Sequence, residues 1–276
     1  MNLAEAVPYP ELTTDRSAKQ EMLLSVRGLS KSFGADIPVF RDISFEVPAS
    51  EITCIVGSNG SGKSTLLRCC MQLIPADSGS VRLFGNDLGS QSPKSLRTLR
   101  ARVGFIFQKH NLVPRLSVLS NVLHGALALK STPRLWYHGF ASSADRNEAM
   151  HCLSRVGLAD LAARRVETLS GGQSQRVAIA RALMQRPTVL FADEPVASLD
   201  PQAGQEVMEL FVRLVREEGL SLVFVSHHLE HALHYSDRIL GLKDSYLQLD
   251  TTPSRESLDS LRAIYGKVDL STGVQV

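Results

Sequence analysis

The sequence predicts an α/β fold built around a parallel sheet, and three observations carry that prediction. Apolar residues Ile52, Cys54, Ile55 and Val56 read as a buried strand. They lead through a glycine-rich run, Gly57-Ser58-Asn59-Gly60-Ser61-Gly62-Lys63-Ser64-Thr65, into Leu66, Leu67, Cys70 and Met71 at helical spacing. Two further continuous apolar runs, Val189–Ala192 and Leu222–Val225, alternate with a helical pattern, as strands covered on both faces do. Short strand-like segments come before the glycine run, and a long helical stretch interrupts the middle of the chain.

The glycine-rich run matches G-x-x-x-x-G-K-[ST], and the spacing has a physical reason. Glycines let backbone N–H groups turn inward around a phosphate. Lys63 is spaced to reach the β- and γ-phosphates, and the Ser64 hydroxyl to ligate Mg²⁺. A helix starting inside the run adds the positive end of its dipole. The motif predicts binding of a nucleoside triphosphate.

Taken in order, residues 1–22 combine prolines and mixed charges without a period and are expected to be a loose tail. From Leu23 the segments Leu23–Val26, Val39-Phe40 and Ile43-Phe45-Val47, punctuated by Gly34, Asp36 and Pro38, read as an antiparallel β-layer. Residues 75–79 form a turn before a short strand at Val81-Leu83-Phe84, which Gly85-Asn86-Asp87 closes. Val103–Phe107 is an apolar strand. From Ser117 to about Arg164 the pattern is largely helical, with one stripe at Val118, Leu119, Val122, Leu123, Ala126 and Leu127 and another at Ala149, Cys152, Leu153 and Val156. An irregular aromatic segment, Leu135-Trp136-Tyr137, lies between them and is expected to be a loop packing its own rings. Asp200 caps a helix that has Pro201 at its first position and Val207, Leu210, Phe211, Leu214 and Val215 on one face.

Composition narrows the class. The 276 residues are 43% hydrophobic and 21% charged, with a net charge of +2 and Lys and Arg scattered among acids, so nucleic acid is not an expected partner. Cys54, Cys69, Cys70 and Cys152 lack metal-ligand spacing and read as small buried hydrophobes in a reducing compartment. Residues 1–22 contain no signal-peptide pattern, and no apolar run approaches the roughly 20 residues that span a bilayer. Any membrane role is therefore expected to come through a partner.

Two later features narrow the chemistry. Asp193 and Glu194 follow a buried strand, where one carboxylate can hold Mg²⁺ and the other can orient and polarise an attacking water. Leu169-Ser170-Gly171-Gly172-Gln173 opens another helical stretch, so the glycine N–H groups and the Ser170 hydroxyl make a second anion site.

Together these residues resemble the ATP-binding subunits of ABC transporters, over about Leu23 to Asp250. Gly57–Thr65 looks like the family's Walker A loop, Leu169–Gln173 like its signature, and Val189–Glu194 like its Walker B strand. Gln108 stands in the place of the Q-loop glutamine, Ser198-Leu199-Asp200 is similar to the D-loop, and Phe33 occupies the position of the ring that stacks on adenine. His227 stands where the family has its switch histidine, the spacing to Ala232 selecting it over His228. The resemblance implies a P-loop NTPase core of ABC type, residues 23–250, with an antiparallel β-subdomain and an inserted α-helical subdomain at about 109–168. Residues 251–276 would form a C-terminal extension. It further implies that Ser64, Gln108 and Asp193 hold Mg²⁺, that Glu194, His227 and Gln108 serve hydrolysis, and that Asp200 touches the nucleotide. ATP would lie between the Walker A of one subunit and the signature of a second copy.

The wording from Phe107 to Leu123, from Arg134 to Phe140 and from Ala192 to Asp200 is similar to phosphonate importer ATPases, with Asn59 departing from the small residue usual there. That resemblance implies a bacterial importer of two permease subunits, a substrate-binding protein and two copies of this chain on the cytoplasmic face of the inner membrane. Phosphite, phosphate esters or another small anion stay open as cargo. So does a non-transport role as an accessory to carbon–phosphorus lyase.

Overall fold

The computed structural model describes residues 22–34, 37–130 and 139–265. The tail before Met22 and the Trp136 segment lie outside the described residues. Two long strands, β1 (Met22–Phe33) and β2 (Ile37–Pro48), begin the described chain. They join β4 (Ser78–Leu83) and β5 (Asn86–Asp87) in an antiparallel sheet of order β2-β1-β4-β5. The separate short segments expected here merge into long strands because register shifts, such as that between Val26 and Leu29, let the pairing continue past irregularities.

The second sheet runs β10-β9-β3-β8-β7-β6, formed by β3 (Ile52–Val56), β6 (Val103–Ile106), β7 (Val189–Asp193), β8 (Ser221–Ser226), β9 (Arg238–Lys243) and β10 (Tyr246–Thr251). Every neighbouring pair is parallel except β10 with β9. Alternation along the buried strands fills a core on each face. Ile52, Cys54, Leu222 and Phe224 point to one core, and Ile55, Val223 and Val225 to the other. The second core is shared with the antiparallel sheet and with Leu66 and Leu67 of α1 (Lys63–Cys70). All four cysteines are buried and unbridged, and no helix among the described residues is long and apolar enough to cross a membrane.

The other face carries α3 (Val118–Leu123), α4 (Ser143–Arg155), α5 (Gly171–Met184) and α6 (Pro201–Glu217). The helical stretch is more broken than its periodicity suggests. A 3-10 segment follows α3, where a Cβ on Gly125 would lie only 2.1 Å from the Arg181 carbonyl oxygen. Gly157, at φ +71°, ends α4 in the left-handed conformation, with the Leu158 N–H returning 2.9 Å to the Leu153 carbonyl. Three helices had no counterpart in the sequence reading: α2 (Pro93–Arg100), α7 (Leu229–Tyr235) and α8 (Leu258–Tyr265).

Candidate nucleotide-binding and hydrolysis site

Four parallel strands lying side by side, β3, β8, β7 and β6, end at one edge of the sheet. Each delivers a singled-out residue there: β3 runs into Gly57, β8 into His227, β7 into Asp193 and Glu194, and β6 into the turn bearing Gln108. Ligands of open α/β sheets bind beyond these carboxyl ends.

The glycine-rich loop is shaped by close approach. A Cβ on Gly57 would stand 2.5 Å from the Leu242 carbonyl oxygen, and one on Gly62 would stand 2.7 Å from Val39 Cγ1. Gly62 takes φ +93° and opens α1. Ser58, Asn59 and Gly60 form the exposed crest of the loop. Lys63 folds back inside it, its ammonium donating to the carbonyls of Gly57 (2.9 Å) and Ser58 (2.8 Å). Burial draws the Lys63 pKa down, and the nearby Glu194 and Asp193 oppose that shift. The Ser61 hydroxyl is buried without a hydrogen-bond partner, which suits a loop shaped to receive an anion.

Ser64 donates to Asp193 Oδ1 at 2.5 Å, and Arg68, one helical turn further on, donates to Asp193 Oδ2 at 3.1 Å. The sequence reading missed Arg68, although its i, i+4 spacing from Ser64 places both on one face of α1. Glu194 adopts a left-handed backbone at φ +47°, and its carboxylate meets partners different from those of Asp193. Its Oε2 accepts from Gln108 Nε2 at 3.2 Å and lies 3.6 Å from His227 Nδ1. The His227 imidazole holds the Glu194 carboxyl below its usual value; Lys63 adds to this and burial opposes it. The amide nitrogen of Gln108 is thus committed to Glu194, leaving its amide oxygen as the group available to a cation.

A cavity of about 300 Å³ opens over the loop, lined by Phe33, Val39, Gly60, Gly62, Lys63, Ser64, Thr65 and Glu194. Phe33 is half exposed at its rim beside the phosphate loop, with the Lys31 ammonium 5.4 Å from its ring centroid. A second cavity of about 600 Å³ lies before Ser170, Gly171, Gly172, Gln173 and Asp200, and the two cavities share no lining residue. Ser170 opens α5 with a capping box: its hydroxyl oxygen accepts from the Gln173 N–H at 3.2 Å, and its own N–H donates to Gln173 Oε1 at 3.1 Å. Leu199 packs so close to Gly171 that a Cβ there would meet its Cδ2 at 2.9 Å, and Asp200 caps α6 through the Ala203 N–H at 3.0 Å.

A phosphate loop between the parallel strand β3 and a helix, with paired carboxylates at the end of β7, one strand removed across β8, defines the nucleotide-binding module of a P-loop NTPase. The family described as ABC transporter matches residues 40–197. The phosphonates import ATP-binding protein PhnC 2 of Oceanobacillus iheyensis is 41% identical over 244 residues, 88% of this chain and 96% of that protein. The phosphite import ATP-binding protein PxtA of Stutzerimonas stutzeri is 43% identical over 246 residues, 89% of this chain and 88% of that protein. Among solved structures, the dimeric post-hydrolysis ATP-binding cassette MJ0796, bound to ADP and Pi, superposes with a TM-score of 0.72 at 31% identity. That match covers 83% of this chain and 98% of the other. The chain belongs to the ABC transporter family and is one of its ATP-binding subunits.

Proposed function

We propose that this chain hydrolyses ATP to drive import of phosphonates, working as a pair on the cytoplasmic face of a bacterial inner membrane beneath two permease subunits fed by a substrate-binding protein. The observation that carries the paired arrangement is the separation of the two cavities. One chain offers a phosphate loop in one and a signature helix start in the other, and a nucleotide needing both must lie between two copies. The dimeric, nucleotide-bound cassette that this chain resembles supports the same reading. The import names of the relatives supply the direction of transport, and the phosphonate name the cargo, with phosphite as the runner-up.

In this mechanism Phe33 stacks on the adenine, the loop N–H groups and Lys63 hold the β- and γ-phosphates, and the partner copy's signature covers the γ-phosphate. The hard oxygen donors Ser64, Asp193 and Gln108 fit Mg²⁺, which when bound offsets charge on the phosphate oxygens. Glu194 takes the proton as water attacks the γ-phosphorus; the bond to the β–γ bridging oxygen breaks and ADP leaves. Without nucleotide the neighbouring His227 keeps Glu194 weakly basic. The γ-phosphate's negative charge raises the proton affinity of that carboxylate, so the base strengthens when its substrate arrives. Gln108 and His227, both directed at Oε2, orient it.

Deleting the gene and following labelled methylphosphonate and phosphite separately tests the cargo. Loss of methylphosphonate uptake alone is expected. Loss of phosphite uptake alone would transfer the assignment to that anion, and retention of both would remove it.

A further inference from the structure

Beyond β6 the chain passes Gln108 and then reverses at His110 and Asn111, which take φ values of +32° and +49°. Two consecutive non-glycine residues in the left-handed region are costly, so their surroundings must hold them there. Arg181 does so from α5. Its Nη1 donates to the Asn111 carbonyl at 2.6 Å and its Nη2 to the His110 carbonyl at 2.7 Å.

Arg181 is an expensive way to make two backbone hydrogen bonds. Burial lowers its pKa, and none of the ion pairs among the described residues involves it. Among the described residues the desolvated guanidinium has no carboxylate partner, and the His110 and Asn111 carbonyl dipoles compensate it. A neutral amide can also gather several carbonyls, as Gln185 Nε2 does with those of Arg100, Ala101 and Val103, but it does so from one nitrogen, whereas the rigid guanidinium plane spans the His110 and Asn111 carbonyls from two. The helix that supplies the fork also carries Gly171 and Gly172 in its first turn. The same side chain therefore links the signature helix to the backbone that follows Gln108.

We propose that Arg181 is a positioning residue for hydrolysis: it grips the His110–Asn111 turn so that Gln108 reaches Glu194, and ties that reach to the placement of the signature helix. This rests on the assignment of Gln108 and Glu194 to the hydrolytic site. Arg181 touches neither cavity, so its loss leaves the phosphate loop and Phe33 intact while loosening Gln108.

The test measures ATP turnover and nucleotide affinity for the full-length chain assembled with its permease, with wild type, Arg181→Met, Arg181→Lys, Gln108→Ala and Gln108→Ala/Arg181→Met compared. Arg181→Met should lower kcat about 10- to 100-fold, the scale of a misplaced catalytic group, and leave the Kd for a non-hydrolysable ATP analogue within about 2-fold. Arg181→Lys should restore little, since an ammonium lacks the fork. In the Gln108→Ala background, Arg181→Met should cost nothing further, because the group it positions is gone. Wild-type turnover in Arg181→Met, a parallel loss of nucleotide affinity, or an undiminished second loss in the double variant would each overturn the proposal. If Arg181→Met does not accumulate, Arg181→Lys carries the same comparisons. Wild-type turnover in Gln108→Ala would instead remove the site assignment, and the proposal with it.

Discussion

The Ser64 hydroxyl and the Asp193 carboxylate meet at 2.5 Å across 129 residues of sequence, joining the first turn of α1 to the end of β7. The pair places two hard oxygen donors side by side, and Arg68 braces the second carboxylate oxygen at 3.1 Å. Ser64→Ala removes one proposed Mg²⁺ ligand and leaves the carboxylate with Arg68 alone. The Mg²⁺ concentration for half-maximal hydrolysis should rise at least about 10-fold, read by titrating Mg²⁺ at saturating ATP. An unchanged Mg²⁺ dependence would take Ser64 out of the cation site.

Lys63 gives up solvent to point into its own loop, where two carbonyls hold it until a phosphate competes for the ammonium. Lys63→Ala should cut hydrolysis by about 100-fold or more and weaken ATP binding, because no other cation among the described residues lines that cavity. Turnover and calorimetric titration report the two effects separately, and normal turnover would contradict the site.

His231 on α7 gives the fold a pH dependence with a definite sign. Its Nδ1 sits 3.3 Å from the Ser226 hydroxyl. Burial, with His228, His227 and His234 adding to it, pulls its pKa from 6.5 down to about 4. The unfolded chain therefore takes up a proton near pH 6.5 that the folded chain refuses until about pH 4. The contribution is present above pH 6.5 and is lost as pH falls through that window, by about 3 kcal/mol at most. His231→Gln should show a smaller fall in Tm between pH 7 and pH 4.5 than wild type. Equal falls in the two proteins would show that His231 is not the group responsible.

Much of the fold was legible because its signals are local. Apolar runs marked β3, β7 and β8, and Asp200-Pro201 marked the start of α6, with the carboxylate capping as read. The Ser92-Pro93 start of α2 carried the same kind of signal, a serine cap followed by proline, and went unread because only Leu99 of that helix is buried. α8 and the β9–β10 hairpin were missed for another reason. Short amphipathic segments near a chain end take their identity from what they pack against, and Tyr265 lies against the backbone of Gly241. The candidate site residues stand in order along the chain. Their convergence was not legible, since nothing local states that Glu194 turns left-handed or that Arg68 reaches Asp193.

In the proposed cycle one ATP is held by two copies, and Glu194 is the base that ends the paired state. Glu194→Gln removes proton acceptance and a negative charge near the γ-phosphate, while Asp193 keeps its contacts with Ser64 and Arg68. Turnover should fall about 10²- to 10⁴-fold. Light scattering of the purified variant at saturating ATP and low Mg²⁺ should give the mass of a dimer. Adding Ser170→Arg, which places bulk before the partner's phosphate, should return the mass of a monomer. A Glu194→Gln chain that stays monomeric with ATP bound, or a dimer indifferent to Ser170→Arg, would contradict the shared site.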